Sequence, residues 1–180
     1  MKKLKIDPVS AAVLGMAALA LLLSAAAYWR APAGAKSAAQ KEAAGGPAQV
    51  VYHADFADPR RFSAMLTNIN NMVTTYQNDL RDYDVRIVFV SHGIRFVTED
   101  RLLGTPFVED PEYRKRRGDL QARLFSLRDV QGVKLELCGI TKQAARLADD
   151  KLVPGVTVVP SGVVRLVELQ QQGFAYIKVE

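Results

Sequence analysis

The sequence predicts an open, mostly parallel five-stranded α/β sheet with helices on both faces. Three observations carry that reading. Short apolar runs alternate with amphipathic helical segments in the order β-α-β-α-β-α-β-α-β, which suits right-handed crossovers within one sheet. The second run, Val85 to Val90, is nearly all apolar, as a strand covered on both faces must be. Helix boundaries carry their usual punctuation, with Asp58-Pro59 and Ser161-Gly162 at starts and Gly132 and Gly173 at stops.

Each element follows from local chemistry. Gln49–Ala54, "QVVYHA", reads as a short first strand. After it, Phe62, Met65, Leu66, Ile69, Met72, Val73 and Tyr76 recur at three and four residues, the spacing of one helix face. Asp58 caps that helix and Pro59 takes its first position, where a missing N–H costs nothing. The strand "VRIVFV" comes next. Residues 94–118 contain Gly104, Pro106, Pro111 and the basic run Arg114–Arg117, and read as a long connection with one short helical turn at most. Asp119–Val130 places Leu120, Leu124 and Leu127 on one helical face. "VKLELC" is the third strand, Thr141–Leu147 a short helix, and "GVTVVP" the fourth strand. A helix over Gly162–Gln172 precedes the last strand, "FAYIKV".

Ahead of this domain, no charged residue lies between Asp7 and Arg30. Pro8–Trp29 would span about 33 Å as a helix, enough for a hydrocarbon core of about 30 Å. The Lys-rich leader keeps the N-terminus cytoplasmic and sends the rest across, and Tyr28-Trp29 suits an interfacial belt. The expectation is a signal-anchor over residues 1–30, single-pass in a bacterial inner membrane with the domain in the periplasm. A cleaved signal peptide ending near Ala27 is the alternative and leaves a soluble periplasmic protein. Residues 31–48, rich in Ala, Gly, Pro and Lys, form a flexible linker reaching roughly 20–25 Å by coil scaling, and residues 49–180 form the α/β domain.

Charge excludes one class of partner. The net +5 is concentrated early: Lys2, Lys3, Lys5 and Arg30 against Asp7 leave +3 in the first 30 residues, while the other 150 carry 20 basic and 18 acidic groups. That is no nucleic-acid footprint, and the run Arg114-Lys115-Arg116-Arg117 reads as a solvated surface segment. One cysteine excludes an intramolecular disulfide and a Cys-rich metal site, and no cofactor-binding fingerprint is present.

The candidate chemistry gathers at one place. Ligands of open α/β sheets sit beyond the carboxyl ends of the strands. There lie His53 near the end of the first strand, His92 after the second, Cys138 at the end of the third, and Pro160 and Ser161 at the end of the fourth. A thiol at a helix start faces unpaired N–H groups that favour thiolate. Cys138 is therefore the candidate nucleophile, with His53 and His92 tuning its pKa or orienting the substrate. Gly139, Thr141 and Ser161 are the candidate positions for holding a ligand. A small buried apolar role for Cys138 is the competing reading.

Five stretches, "VVYHAD", "NINNMV", "VRIVFVSHGIRFV", "GVKLELCGIT" and "VPGVTVVPSGVVRLVELQQQGFAYIKV", resemble the DsrE/DsrF-like proteins over about residues 49–180, most closely an exported subgroup. The resemblance implies a flavodoxin-like sheet and assembly as trimers or hexamers. It also implies, for Cys138, the position of the cysteine that accepts persulfide sulfur in sulfur-relay members. The chain departs from them in its export signal and in an insertion around residues 101–118. Two functions follow as expectations. One is a sulfur (persulfide) carrier, sulfurtransferase or thiol-redox protein. The other is a non-catalytic oligomeric subunit that helps assemble a membrane complex. A relay or membrane-complex partner goes with either.

Overall fold

A computed structural model describes residues 46–180. The apolar segment and most of the linker expected before the domain lie outside these residues, although Ala48, assigned to the linker, opens the first strand. The described elements are β1 (Ala48–Ala54), α1 (Pro59–Asn78), β2 (Tyr83–Phe89), a 3-10 segment (Ser91–Val97), α2 (Pro111–Asp129), β3 (Lys134–Cys138), α3 (Gly139–Ala144), a 3-10 turn (Asp149–Lys151), β4 (Val156–Val159), α4 (Gly162–Gln171) and β5 (Ala175–Ile177).

The five strands form one sheet in the order β4-β3-β2-β1-β5, parallel throughout. The chain steps outward from β1 to β4 and then returns across the sheet to β5, carrying α4 over the opposite face. Side chains of each strand alternate between the two faces accordingly. Val50, Tyr52, Ala54, Val85, Ile87, Phe89, Leu135 and Leu137 join the main core with α1 and α2, whereas Val51 and Val88 pack with Leu166, Leu169 and Phe174 under α4. The main core is aromatic at its centre. Phe62 of α1 stacks on Phe96 at 3.9 Å and 4°, and Tyr113 of α2 meets Phe96 edge-on at 5.2 Å.

The predicted class and order hold, with three boundary corrections. α2 begins at Pro111, not Asp119: Asp110 Oδ1 accepts from the Tyr113 N–H at 2.8 Å and Pro111 occupies a helix-start position. The basic run is thus helical and is not uniformly solvated. Glu109, 4% exposed, accepts from Arg114 at 3.1 Å and from Arg117, and pairs with Arg101 at 3.2 Å. Second, α3 starts at Gly139, two residues early. Third, the residues after β2 wind into the 3-10 segment, which Gly93 allows to press against the end of β1.

Candidate functional site

Cys138 is the last residue of β3 and the cap residue of α3, with extended backbone at φ −61° and ψ 118°. It lies on the α4 face, pairs in register with Val159 of β4, and is 4% exposed. Burial alone would raise the thiol pKa. The N–H of Gly162, the N–H and O–H of Thr141 and the N–H of Ile140 oppose this, and the net result is a thiol below its ordinary value of 9.0. The sulfur closes no regular cap hydrogen bond on α3; the surrounding donors act on it as oriented dipoles.

Two helix starts converge on the sulfur, and both need glycine. A Cβ on Gly139 would come 3.0 Å from the Val159 carbonyl oxygen. A Cβ on Gly162 would come 2.6 Å from Val90 Cγ2, 2.9 Å from Cys138 Cβ and 3.5 Å from its sulfur. Thr141 is buried, and its Oγ1 accepts from the Ser91 N–H at 3.0 Å. With that side of the oxygen occupied by a donor, the hydroxyl proton is free to face the sulfur. Ser91 holds φ +52°, a left-handed conformation that a non-glycine residue seldom adopts.

Three of the predicted residues, Cys138, Gly139 and Thr141, therefore meet at one point. Ser161 stands beside it, with its Oγ accepting from the Val164 N–H at 3.4 Å, so its side chain caps α4. Gly162, whose N–H acts most strongly on the sulfur, was missed, and the adjacent Ser161 cap is the signal that marks its position.

The histidines sit elsewhere on the same edge, and neither is among the groups that shift the thiol. His53 shares the α4 face but lies on β1, with β2 between it and β3, a lateral distance of roughly 10 Å at ordinary strand spacing. Its Nδ1 is 2.9 Å from the Tyr176 hydroxyl. His92 turns toward the loop before α2. Arg95, which can only donate, gives a hydrogen bond to His92 Nδ1 at 3.1 Å, and Phe107 meets the ring edge-on at 5.6 Å. The structure does not bring His53 or His92 onto the thiol; the donors that act on it belong to Gly162, Thr141 and Ile140.

Among the described residues there is no cluster of three or more His, Cys, Asp or Glu side chains able to hold a metal ion, and no helix long and apolar enough to cross a membrane.

The Gly162→Ala variant tests the double helix start. Its methyl must displace Val90 or α4, at about 1–3 kcal/mol for overpacking. The N–H then withdraws from the sulfur. The pH midpoint of iodoacetamide alkylation should rise toward that of an ordinary thiol; an unchanged midpoint would show that Gly162 does not act on Cys138.

Comparison with known proteins places this arrangement. An uncharacterized protein of Aquifex aeolicus (strain VF5) is 26% identical over 132 residues; the match takes in 73% of this chain but 56% of that protein, so the chain spans little more than half its length. A protein of unknown function from Methanobacterium thermoautotrophicum superposes with a TM-score of 0.55 at 30% identity, covering 73% of this chain and 98% of its own. The ychN protein from E. coli aligns over 73% of this chain and 98% of its own at 17% identity, with a TM-score of 0.48. The model of the DsrE/DsrF-like family matches residues 49–179, nearly the whole described domain, and the chain belongs to that family.

Proposed function

We propose that this domain carries sulfur as a persulfide on Cys138. The observation that supports this best is the surround of the thiol: an otherwise buried sulfur met by the N–H groups of two helix starts and by the Thr141 hydroxyl, a setting that favours an anionic sulfur. In the transfer, the Cys138 thiolate attacks the outer sulfur of a donor persulfide, R–S–SH. The donor S–S bond breaks, a new S–S bond forms on Cys138, and R–S⁻ leaves. One cysteine per chain suffices and no external oxidant is consumed.

In this reading the domain is exported, held at the outer face of a bacterial inner membrane by the apolar segment 8–29, and works as a homotrimer or homohexamer beside a relay partner. A second reading, a non-catalytic assembly subunit, draws on a different observation. The outer side of α4 presents Val163, Val164 and Val167 at 60%, 55% and 49% exposure, an apolar ridge suited to a protein contact.

Intact mass of the native, unreduced protein after incubation with polysulfide separates the two. The carrier gains one or more sulfur atoms, and Cys138→Ala gains none. A wild-type thiol that takes up no sulfur and resists iodoacetamide in the folded state would leave only the assembly reading.

A further inference from the structure

The same sheet edge holds a second cluster that the sulfur reading leaves unused. His53 is the penultimate residue of β1, with its side chain 14% exposed. On one side its Nδ1 is 2.9 Å from the Tyr176 hydroxyl of β5. On the other its Nε2 is buried with no hydrogen-bond partner, and Asp55 Oδ2 lies 4.0 Å away. That carboxylate is already engaged by Lys178 Nζ at 2.9 Å. Tyr176 covers His53 from an edge strand of three residues, paired to β1 only at Val50–Tyr52.

We infer that His53 is a proton-sensitive latch for the C-terminal strand β5. A neutral imidazole has one donor and one acceptor. The nearby carboxylate favours Nε2–H, which leaves the Nδ1 lone pair to accept from the Tyr176 hydroxyl. A proton added at Nδ1 occupies the space of the phenol proton, so the contact closing β5 onto β1 must reverse.

The charges facing the ring do not favour the imidazolium enough to keep it under cover. Lys178 beyond β5 and Arg61 of α1 oppose it, and Asp55, which favours it, is shared with Lys178. Arg61 itself reaches the C-terminal Glu180 at 3.2 Å. Farther along the same row, Glu136 of β3 is taken by Arg86 and by Arg165 of α4, and Glu168 of α4 lies on Arg165. Burial is the largest influence on His53 and keeps its pKa below 6.5. The sign follows: a covered His53 resists protonation and an uncovered one does not. Falling pH through and below 6.5 therefore shifts the population toward chains with β5 lifted.

Amide hydrogen exchange on the full chain, divided by the intrinsic rate at each pH, tests this. Between pH 7.5 and 5 the protection of the β5 amides should fall several-fold, while the β2 amides hold theirs. His53→Asn, whose side-chain oxygen can still accept from Tyr176, should keep its pH 7.5 protection at both values. Equal β5 protection in the wild type at the two pH values, or the same loss in His53→Asn, overturns the latch. Imidazole nitrogen shifts give a test that needs no variant. They should report the Nε2–H form at pH 7.5; an Nδ1–H form would overturn the proposal, because protonation would then leave the direction of the Tyr176 hydrogen bond unchanged.

Discussion

Gly93→Ala is expected to destabilise the domain by about 3 kcal/mol or more, at or past the upper end for overpacking. The new Cβ would lie 2.0 Å from the Ala54 carbonyl oxygen and 2.9 Å from its carbon. These are backbone atoms at the end of β1, where Ala54 is fully buried and its oxygen already accepts from the Val90 N–H at 2.9 Å. No side chain can swing aside to relieve the contact. The 3-10 segment would have to lift off β1, drawing Ile94, Phe96 and Val97 out of the main core. The loss is a large share of the ~5–15 kcal/mol that stabilises an ordinary domain. Urea unfolding should show a lower midpoint with the slope preserved, or an unfolded variant. A change within about 0.5 kcal/mol, typical of an unconstrained surface position, would refute the close approach. The thiol should respond as well, because Ser91 two residues earlier donates to Thr141.

Gly93 also shows where reading the sequence stops. The run at Val85–Val90 announces a buried strand, and Val85, Ile87, Val88 and Phe89 are at most 1% exposed. The strand begins earlier, at Tyr83, because pairing with Ala48 and Gln49 of β1 extends it back through Asp84, ahead of the apolar run. α2 failed for a related reason. Asp110-Pro111 is a legible helix start, but the charged stretch behind it conceals the buried face. Tyr113 and Arg117 sit two turns and one turn ahead of Leu120, with Arg117 laid over the Tyr113 ring at 5.5 Å, so a cation lies where periodicity looks for an apolar residue.

The site divides in the same way. That Cys138 ends a strand and starts a helix is a local property, readable from "VKLELCGIT". That Gly162 completes its surround depends on β4 pairing beside β3, with Cys138 opposite Val159, so that α4 starts above the thiol. No local pattern contains that information. The histidines mislead for the opposite reason. All three residues do map to one edge, but the edge is several strands wide: His53 shares the face of Cys138 two strands away, and His92 turns toward Arg95 and Phe107.

The tether that keeps α4 in place gives the other large effect. Glu136 of β3 is 5% exposed and accepts from Arg86 Nη1 at 2.9 Å and from Arg165 Nε and Nη2 at 2.6 and 3.0 Å. Glu136→Gln preserves shape but leaves two guanidinium groups around a neutral amide. The expected cost at pH 7 is about 2–3 kcal/mol, below the ~3–5 of a fully buried pair. Both arginines retain some solvent and a second acid, Asp84 for Arg86 and Glu168 for Arg165. The pH dependence identifies the charge as the cause. Burial works against the Glu136 carboxylate, but the hydrogen bonds from Arg165 and Arg86 outweigh it and hold its pKa below 4.5. Its contribution is therefore complete above pH 4.5 and is lost as pH falls through the lower folded value. Urea midpoints for wild type and variant should differ clearly at pH 7, and the gap should narrow at pH 3, below the unfolded value of 4.5. A gap of the same size at both would assign the loss to shape alone. Arg165 lies one turn beyond the start of α4, so the variant also frees Gly162 to move off the sulfur. Its alkylation midpoint should then shift upward with that of Gly162→Ala, tying the reactivity of Cys138 to a carboxylate two residues before it on the same face.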